Sequence, residues 1–486
     1  MPGDDHSFTT TGQVHGEAKY IAPLLGDIAA QASEADRTRS VSSGVITAIK
    51  KNDIMRMSAS REIAGLEESI VAIANELRAI APRCGSTAWC LWNHLCVFHH
   101  FAGVLGPANA PFLADIVSQR EWVCFPAGAS SEVTAVDDGG KTILSGVAAF
   151  GSGGRYSDWA GVVFVKDGVK LPQFTLVDLR HQKVRIKETW NGSALRASAT
   201  DHIYYDGVDV PRERVVPSPA KYRAFYRRQD YPMIHHRYRE DWVAISVMWL
   251  GAMATGVAQA SFDDTAQNIR DRIAIFGTRM VEKPTIHVNL GRARALINAA
   301  TDTVYAAMAE TDARIAARVV PTEGDYFRQT SAGMQAVLFC DEAMRLILRV
   351  LGGNGLREGT DFERRYRDFQ AMPLHINGHV EAAGIAGDRE GALFRTAYQR
   401  TGVLTDRAMT QSDAWRMLQR RALNAGIPTA VCNHTFRATG ITAYLENAGS
   451  LENAQAMAAH ESPRTTKLYD RTDDQITLDE VEKIGI

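Results

Sequence analysis

From Ile63 to Ile80 apolar residues recur every three or four positions, the helical period, so a helix is predicted there. Residues 1–40 are polar and Ser/Thr-rich, except for an apolar patch from Tyr20 to Ala32 that fits one more helix. Another is expected to start near Ser86 and run past His100, and the next to follow Pro111. After Glu121 the pattern shortens to β-rich runs at Trp122–Pro126, Thr142–Phe150, Gly161–Val165, Phe174–Asp178 and His202–Tyr205, with Gly and Asp turns between them. Pro211 and Pro217 close this part. From Asp241 to about Leu393 long helical periodicity returns, with few prolines and a stop at Gly352-Gly353. The order predicts a helical domain over 1–120, a β-domain over 121–220, a helical bundle over 221–396 and a segment of different character over 397–486. No internal repeat or low-complexity block is evident.

A chain of 486 residues exceeds what one core usually organises, which agrees with several units. Hydrophobic residues make up 45% and charged residues 23%, an ordinary profile for a soluble protein. The net charge of −2 supplies no overall basic field for nucleic acid. Six scattered cysteines without a Cys-x-x-Cys pair read as reduced, mostly buried thiols, not as a disulfide set or a metal site. The start, Met1-Pro-Gly-Asp-Asp-His6, lacks the basic and apolar regions of a signal peptide, and no uninterrupted apolar run suggests a bilayer span. The expectation is a cytoplasmic chain with no membrane segment and no metal.

Four motifs carry the chemistry. Leu351-Gly-Gly-Asn-Gly355 precedes Arg365-Tyr-Arg-Asp368 and an isolated His375. Cys84-Gly-Ser-Thr-Ala-Trp89 is followed by His94. Phe150-Gly-Ser-Gly153 precedes Asp158-Trp159, and Trp190 precedes Leu195-Arg-Ala-Ser-Ala-Thr-Asp201. In this order, over roughly residues 45–395, they resemble the acyl-CoA dehydrogenase fold, and within it the oxygenase components of two-component flavin-dependent monooxygenases. The resemblance implies a mainly α protein with an N-terminal helical domain, a middle β-barrel-like domain and a C-terminal four-helix bundle. A dehydrogenase of that fold places a glutamate base about one turn past the Arg-Asp pair. Here His375 and Ile376 stand at that point, and neither suits removal of a proton next to a thioester. Gly151 replaces the first serine of the monooxygenase segment, and Ala197 and Ala199 replace two glycines.

The implied chemistry is oxygen activation on reduced flavin, FMNH2 or FADH2, through a C4a-hydroperoxide that attacks an aromatic or heteroaromatic small molecule. Imidazole titrates near neutral pH and can hold a proton on such an adduct, which gives His375 a catalytic role by resemblance. Ser152 would hydrogen-bond near the flavin N5 and the peroxide, as catalyst and cofactor contact, or could simply form a turn between its glycines. Trp89 and His94 are candidate substrate contacts, although His94 shares its helix with His99 and His100, any of which could face solvent. Trp159, Arg272, Arg279, Gly352 and Gly353 are candidate cofactor contacts. The two arginines could equally be exposed helix residues, and the glycines an ordinary helix cap. No strand leads into a Gly-x-Gly-x-x-Gly turn, so a nicotinamide site is not expected and a separate NAD(P)H:flavin reductase would supply the flavin. The family implies a homotetramer.

After about Thr401, Cys432-Asn-His434-Thr-Phe-Arg437 and Ala459-His460 through Tyr469 resemble the last half of a tyrosine recombinase (phage integrase) catalytic domain. In an intact enzyme of that kind His434, Arg437 and His460 bind the scissile phosphate and Tyr469 attacks it. The arginine and lysine of the first half are missing upstream, so the segment is expected to be a small α-helical remnant without recombinase activity. The readings to be separated are therefore a monooxygenase, an acyl-CoA dehydrogenase-like flavin oxidoreductase, a DNA-binding recombination protein, and a fusion whose tail blocks the flavin site or the oligomer interface.

Overall fold

The computed structural model of the chain describes residues 16–126, 131–169, 171–217, 225–273 and 277–375, with short stretches between 395 and 419. Contacts divide the chain into two units, Met1–Ala386 and Gly387–Ile486. In the second unit the described elements include a short antiparallel pair, Arg395–Ala397 with Leu404–Ala408. His434, Arg437, His460 and Tyr469 lie outside the described residues.

The first unit opens with helices α1 (Leu25–Thr38), α2 (Ser43–Lys51), α3 (Ile70–Ile80), α4 (Gly85–Leu105) and α5 (Ala110–Ser118). Ser42 and Ser69 begin α2 and α3 by accepting the amide protons of Val45 and Ala72. The helix predicted from Ile63 starts later, because Ala64 and Glu67 are left-handed and the chain folds back there: the Glu67 and Glu68 amides donate to the carbonyls of Ala59 and Met57. In α4 all residues but Asn93 are buried, as an all-round apolar sequence requires.

Eight strands follow: β1 (Val123–Cys124), β2 (Ser131–Asp138), β3 (Lys141–Gly151), β4 (Trp159–Lys166), β5 (Gln173–Asp178), β6 (Val184–Lys187), β7 (Asp201–Pro211) and β8 (Val216–Pro217). They form one sheet in the order β6-β7-β3-β2-β4-β5-β8, with β1 beside β4. It wraps around its own core of Cys124, Val133, Leu144, Val162, Phe164, Ile203 and Tyr205. β2 and β6 were not expected from the sequence. β2 reads Ser-Glu-Val-Thr-Ala-Val-Asp-Asp and buries only Val133 and Ala135, yet it pairs with β3 along its whole length.

Three long helices, α6 (Trp242–Asn268), α7 (Pro284–Ala316) and α8 (Glu323–Leu351), form the described bundle, followed by α9 (Asp361–Phe369) and a helical turn over 371–375. Asp241 caps α6, and Thr322 with Asp325 makes a capping box for α8. By length and composition α6 could cross a membrane, which the sequence reading had not anticipated. In the fold, 83% of its most apolar window is buried, so it is a core helix.

Asp368, at the end of α9, joins the three parts. Its Oδ1 accepts the Leu195 amide proton at 2.7 Å from the loop before β7. Its Oδ2 lies 2.9 Å from where a Cβ on Gly85 would stand, so the start of α4 needs glycine. Arg367 beside it donates to Asp36 of α1 at 3.0 and 2.9 Å and to the Ser193 carbonyl at 2.8 Å. Burial pushes the Asp368 carboxyl up to about 6, against the Leu195 amide and Arg367, which hold it down. An acid whose folded pKa is raised stabilises the fold below its unfolded value of 3.8, and that contribution is lost as pH rises through about 6. The buried histidines of α4 act in the opposite sense. His94, His99 and His100 are pushed down from 6.5 to about 4, about 3 and about 3, chiefly by burial. Their contribution is present above 6.5 and lost as pH falls. Asp368→Asn keeps the acceptor for Leu195 and removes the titration. Between pH 7 and 4 the stability difference between wild type and this variant should move in favour of wild type by roughly 2–3 kcal/mol, read from urea midpoints. A flat difference curve would show that Asp368 does not titrate in the fold.

Candidate functional site

Trp89 and Trp92 are three residues apart, so they share one face of α4. Their ring centroids lie 4.8 Å apart. The turn after α9 brings the imidazole of His375 edge-on to both, at 5.3 Å and 81° to Trp89 and 5.1 Å and 87° to Trp92. The Trp92 indole N–H donates to the Ser246 carbonyl of α6 at 2.9 Å, which fixes the pair against the bundle. The Trp89 indole N–H donates to Ser152 Oγ at 3.2 Å. Ser152 Oγ is 3.0 Å from Thr200 Oγ1, which is 2.8 Å from Ser198 Oγ. Both tryptophans and all three hydroxyl residues are buried, while His375 is exposed at the rim. Thus His375, Trp89 and Ser152, far apart in sequence, belong to one cluster.

Ser152 is held in a strained turn. The β3–β7 register slips by one residue between Ala148 and Gly151, a bulge that ends the strand. Phe150 is left-handed at φ +59°, and its carbonyl accepts the Ser152 amide proton at 3.0 Å. Gly153 has φ +78°, and a Cβ there would stand 3.4 Å from Cys90 Cβ. The Gly153 and Gly154 amides donate to the carbonyls of Ser198 and Ala199. Ala199, where the monooxygenase pattern has glycine, has a left-handed backbone at φ +47°. That conformation costs about 1–2 kcal/mol, but the buried methyl returns about 0.8 kcal/mol and alanine loses less entropy on folding than glycine. These terms nearly cancel, so the replacement is tolerated. Gly153, at φ +78° and ψ +8°, lies farther from the left-handed minimum near φ +57° and ψ +47°, so the strain outweighs the same gains there.

The remaining expected site residues lie elsewhere or serve another purpose. His94 is not available to a substrate hydroxyl: one ring nitrogen bonds the Met55 carbonyl at 3.1 Å and the other accepts the Val123 amide proton at 3.0 Å. His99 bonds the Glu240 carbonyl and His100 the Tyr226 hydroxyl, so none of the three faces solvent. The Trp159 indole donates to Glu121 at 2.5 Å, and its ring packs on Phe112 with Arg180 above it. Its neighbour Asp158 pairs with Lys50 and accepts the Trp122 amide, so the Asp-Trp motif joins α2 to the sheet. Arg272 reaches the Leu351 carbonyl at 3.4 Å, which places it at the turn of Gly352 and Gly353. Gly352 has φ +61°, and open space surrounds both glycines. Arg279 is exposed and bonds the Arg270 carbonyl instead.

Trp92, Thr200 and Ser198 were not singled out from the sequence. The three-residue spacing from Trp89 was a usable signal for Trp92. Nothing in the sequence pairs Thr200 with Ser152, because that contact arises from tertiary packing. Glu62, Glu67 and His235 place ligand-type atoms within 4.8 Å of one another. There, however, His235 Nδ1 accepts the Arg237 amide proton, which leaves the ring proton on Nε2, the nitrogen that faces Glu67. With Nδ1 accepting, the ring is neutral and turns its N–H towards Glu67, which opposes a metal on that nitrogen. The five described cysteines are free and buried.

Residues 248–379 match the acyl-CoA dehydrogenase C-terminal domain, and residues 380–475 match the phage integrase family. The pigment production hydroxylase of Rhodococcus sp. (strain ATCC 21145) is 24% identical over 372 residues, 75% of this chain and 92% of the relative. The flavin-dependent monooxygenase oxygenase subunit HsaA of Rhodococcus jostii (strain RHA1) is 25% identical over 381 residues, 74% and 94% of the two chains. Cyclohexane-1-carbonyl-CoA dehydrogenase of Geobacter metallireducens is also 25% identical, over 378 residues, 74% of this chain and 93% of the relative. Among solved structures, XiaF from Streptomyces sp., in complex with FADH2 and glycerol, superposes with a TM-score of 0.67 at 21% identity and covers 75% of this chain and 93% of its own. The first unit has the acyl-CoA dehydrogenase-like fold, and an integrase-type segment follows it.

The turn that presents Ser152 gives a direct test. Gly153→Ala should destabilise the protein by about 1–2 kcal/mol, because φ +78° is costly for alanine. A denaturation midpoint equal to wild type would mean that the turn is not strained.

Proposed function

We propose that residues 1–396 act as the oxygenase component of a two-component flavin-dependent monooxygenase that hydroxylates an aromatic or heteroaromatic small molecule. The observation that carries this reading is His375 set edge-on against Trp89 and Trp92, with the Ser152 hydroxyl at the other end of the Trp89 indole. These groups suit a flavin ring, offering flat aromatic walls, a hydroxyl and an imidazole. Arg272 and the Gly352-Gly353 turn, where backbone lies open, suit its phosphate. Bound there, reduced flavin supplies two electrons to dioxygen, so that one oxygen atom enters the substrate and the other leaves as water.

The chain's own residues do the rest. Trp89 and Trp92 exclude water from one side of the ring, which an oxygen-transfer site requires. Ser152 supplies a hydrogen bond from the turn at the end of β3. His375 holds or delivers a proton from the rim. A dehydrogenase would need a free carboxylate. Asp368, seven residues before His375, has one oxygen on the Leu195 amide and the other against Gly85, so it is not placed to act as that base, while Glu381 lies outside the described residues. This weighs against dehydrogenation despite the dehydrogenase among the relatives.

In this reading a separate NAD(P)H:flavin reductase provides FMNH2 or FADH2, the protein works in the cytoplasm, and it assembles as a homotetramer. Residues 397–486 are a recombinase remnant without strand-cleaving activity. The integrase match begins at residue 380, directly after the dehydrogenase-domain match ends at 379, and this leaves no span for the missing arginine and lysine. DNA binding through His434, Arg437 and His460 is the second reading, favoured by the integrase match alone.

His375→Ala should lower product formation by about 10²-fold and divert oxygen to hydrogen peroxide, measured as product and peroxide per reduced flavin consumed. Unchanged coupling would remove His375 from the mechanism. Tyr469→Phe should leave hydroxylation as in wild type. Trapping of a nicked DNA on wild type, lost in that variant, would instead establish the recombinase reading.

A further inference from the structure

Resting on the flavin reading above, we propose that Trp92 is a positioning residue: together with Trp89 it fixes the plane in which the imidazole of His375 gives or takes a proton.

An imidazole donates and accepts through its two ring nitrogens, along directions that lie in the plane of the ring. That plane therefore decides which atoms of a ligand its proton can reach. His375 ends the helical turn over 371–375, in which Met372 is buried and Leu374 is 70% exposed. The outer side-chain torsion of histidine is broad and sets no sharp orientation of its own. At this rim the surroundings must supply one.

Two indoles do so. Their planes are tilted by 47° to each other. The imidazole stands at 81° to Trp89 and 87° to Trp92, nearly perpendicular to both. Many planes are perpendicular to one given plane, but only one orientation is perpendicular to two planes that are tilted apart. Against Trp89 alone the imidazole could turn about the normal to that indole and stay perpendicular to it. Trp92 stops the turn.

The second wall is itself fixed. Trp92 is 3% exposed, and its N–H donates to the Ser246 carbonyl at 2.9 Å, which ties it to α6. Its one donor is thus used, and it meets His375 through its ring, with centroids 5.1 Å apart. Trp89 also carries the hydrogen bond to Ser152, so a change there disturbs two groups at once. Trp92 is the place where the orientation of His375 can be tested by itself.

In crystal structures of the full chain without flavin, His375 should occupy one ring plane in wild type and in Trp92→Phe, and several in Trp92→Leu. The second measurement uses anaerobically reduced FMN, and separately FAD, mixed with oxygen in the absence of substrate. Trp92→Leu should release hydrogen peroxide about two- to tenfold faster than wild type, the worth of one aromatic pair. Trp92→Phe, which keeps a flat ring on that side, should recover most of the difference. In a His375→Ala background Trp92→Leu should add nothing, because both changes act through one imidazole. Water admitted by the missing indole would raise the rate in that background too. An undiminished effect there overturns the proposal, as does a single unchanged His375 plane in Trp92→Leu. If the leucine variant does not fold, Trp92→Met makes the same comparisons. A wild type that neither binds reduced flavin nor alters its reaction with oxygen overturns the flavin reading instead, and the crystal structures still decide whether Trp92 holds the imidazole.

Discussion

The carboxylate of Asp368 is the contact on which the arrangement of the first unit depends. It is buried where α9, the start of α4 and the loop before β7 meet, and it accepts the amide of Leu195. Burying a charged carboxyl is unfavourable, which is why its proton affinity rises to about 6. Arg367 offsets part of that penalty and extends the junction to Asp36 on α1. The Arg-Asp pair is therefore a tie between helix and sheet. His375, seven residues later, inherits its position from that tie.

Much of this was legible in the sequence. Long helices such as α4, α6 and α8 announce themselves because burial on most sides demands continuous apolar periodicity. β2 and β6 did not, because their side chains are largely exposed and read as polar loop, while their backbones pair fully or in part with β3 and β7. The apolar rhythm from Ile63 was also misleading. It reports which side chains are buried, and in residues 57–68 these are buried by a folded-back turn.

The cluster was partly legible as well. The order of the motifs placed His375, Trp89 and Ser152 in one family pattern, and packing brings them together. His94 looked equally promising, being a histidine on the right helix. Sequence cannot show that its two ring nitrogens are occupied by the backbones of Met55 and Val123. Thr200 is the reverse case: an ordinary threonine in sequence that the fold places 3.0 Å from the Ser152 hydroxyl.

Charge is kept one layer behind this wall. α4 carries three imidazoles, and burial holds all of them neutral at ordinary pH. Trp89, Trp92, Ser152, Thr200 and Ser198 have no ionised group among them. Asp368 and Arg367 lie behind, at the start of α4 and along α1, and are engaged there with backbone and with each other's partners. In surroundings of low polarity a single oriented hydroxyl or imidazole has more influence than the same group among fixed charges or in water. A neutral lining with a serine hydroxyl and one imidazole at the rim is therefore a site in which the placement of protons decides the outcome.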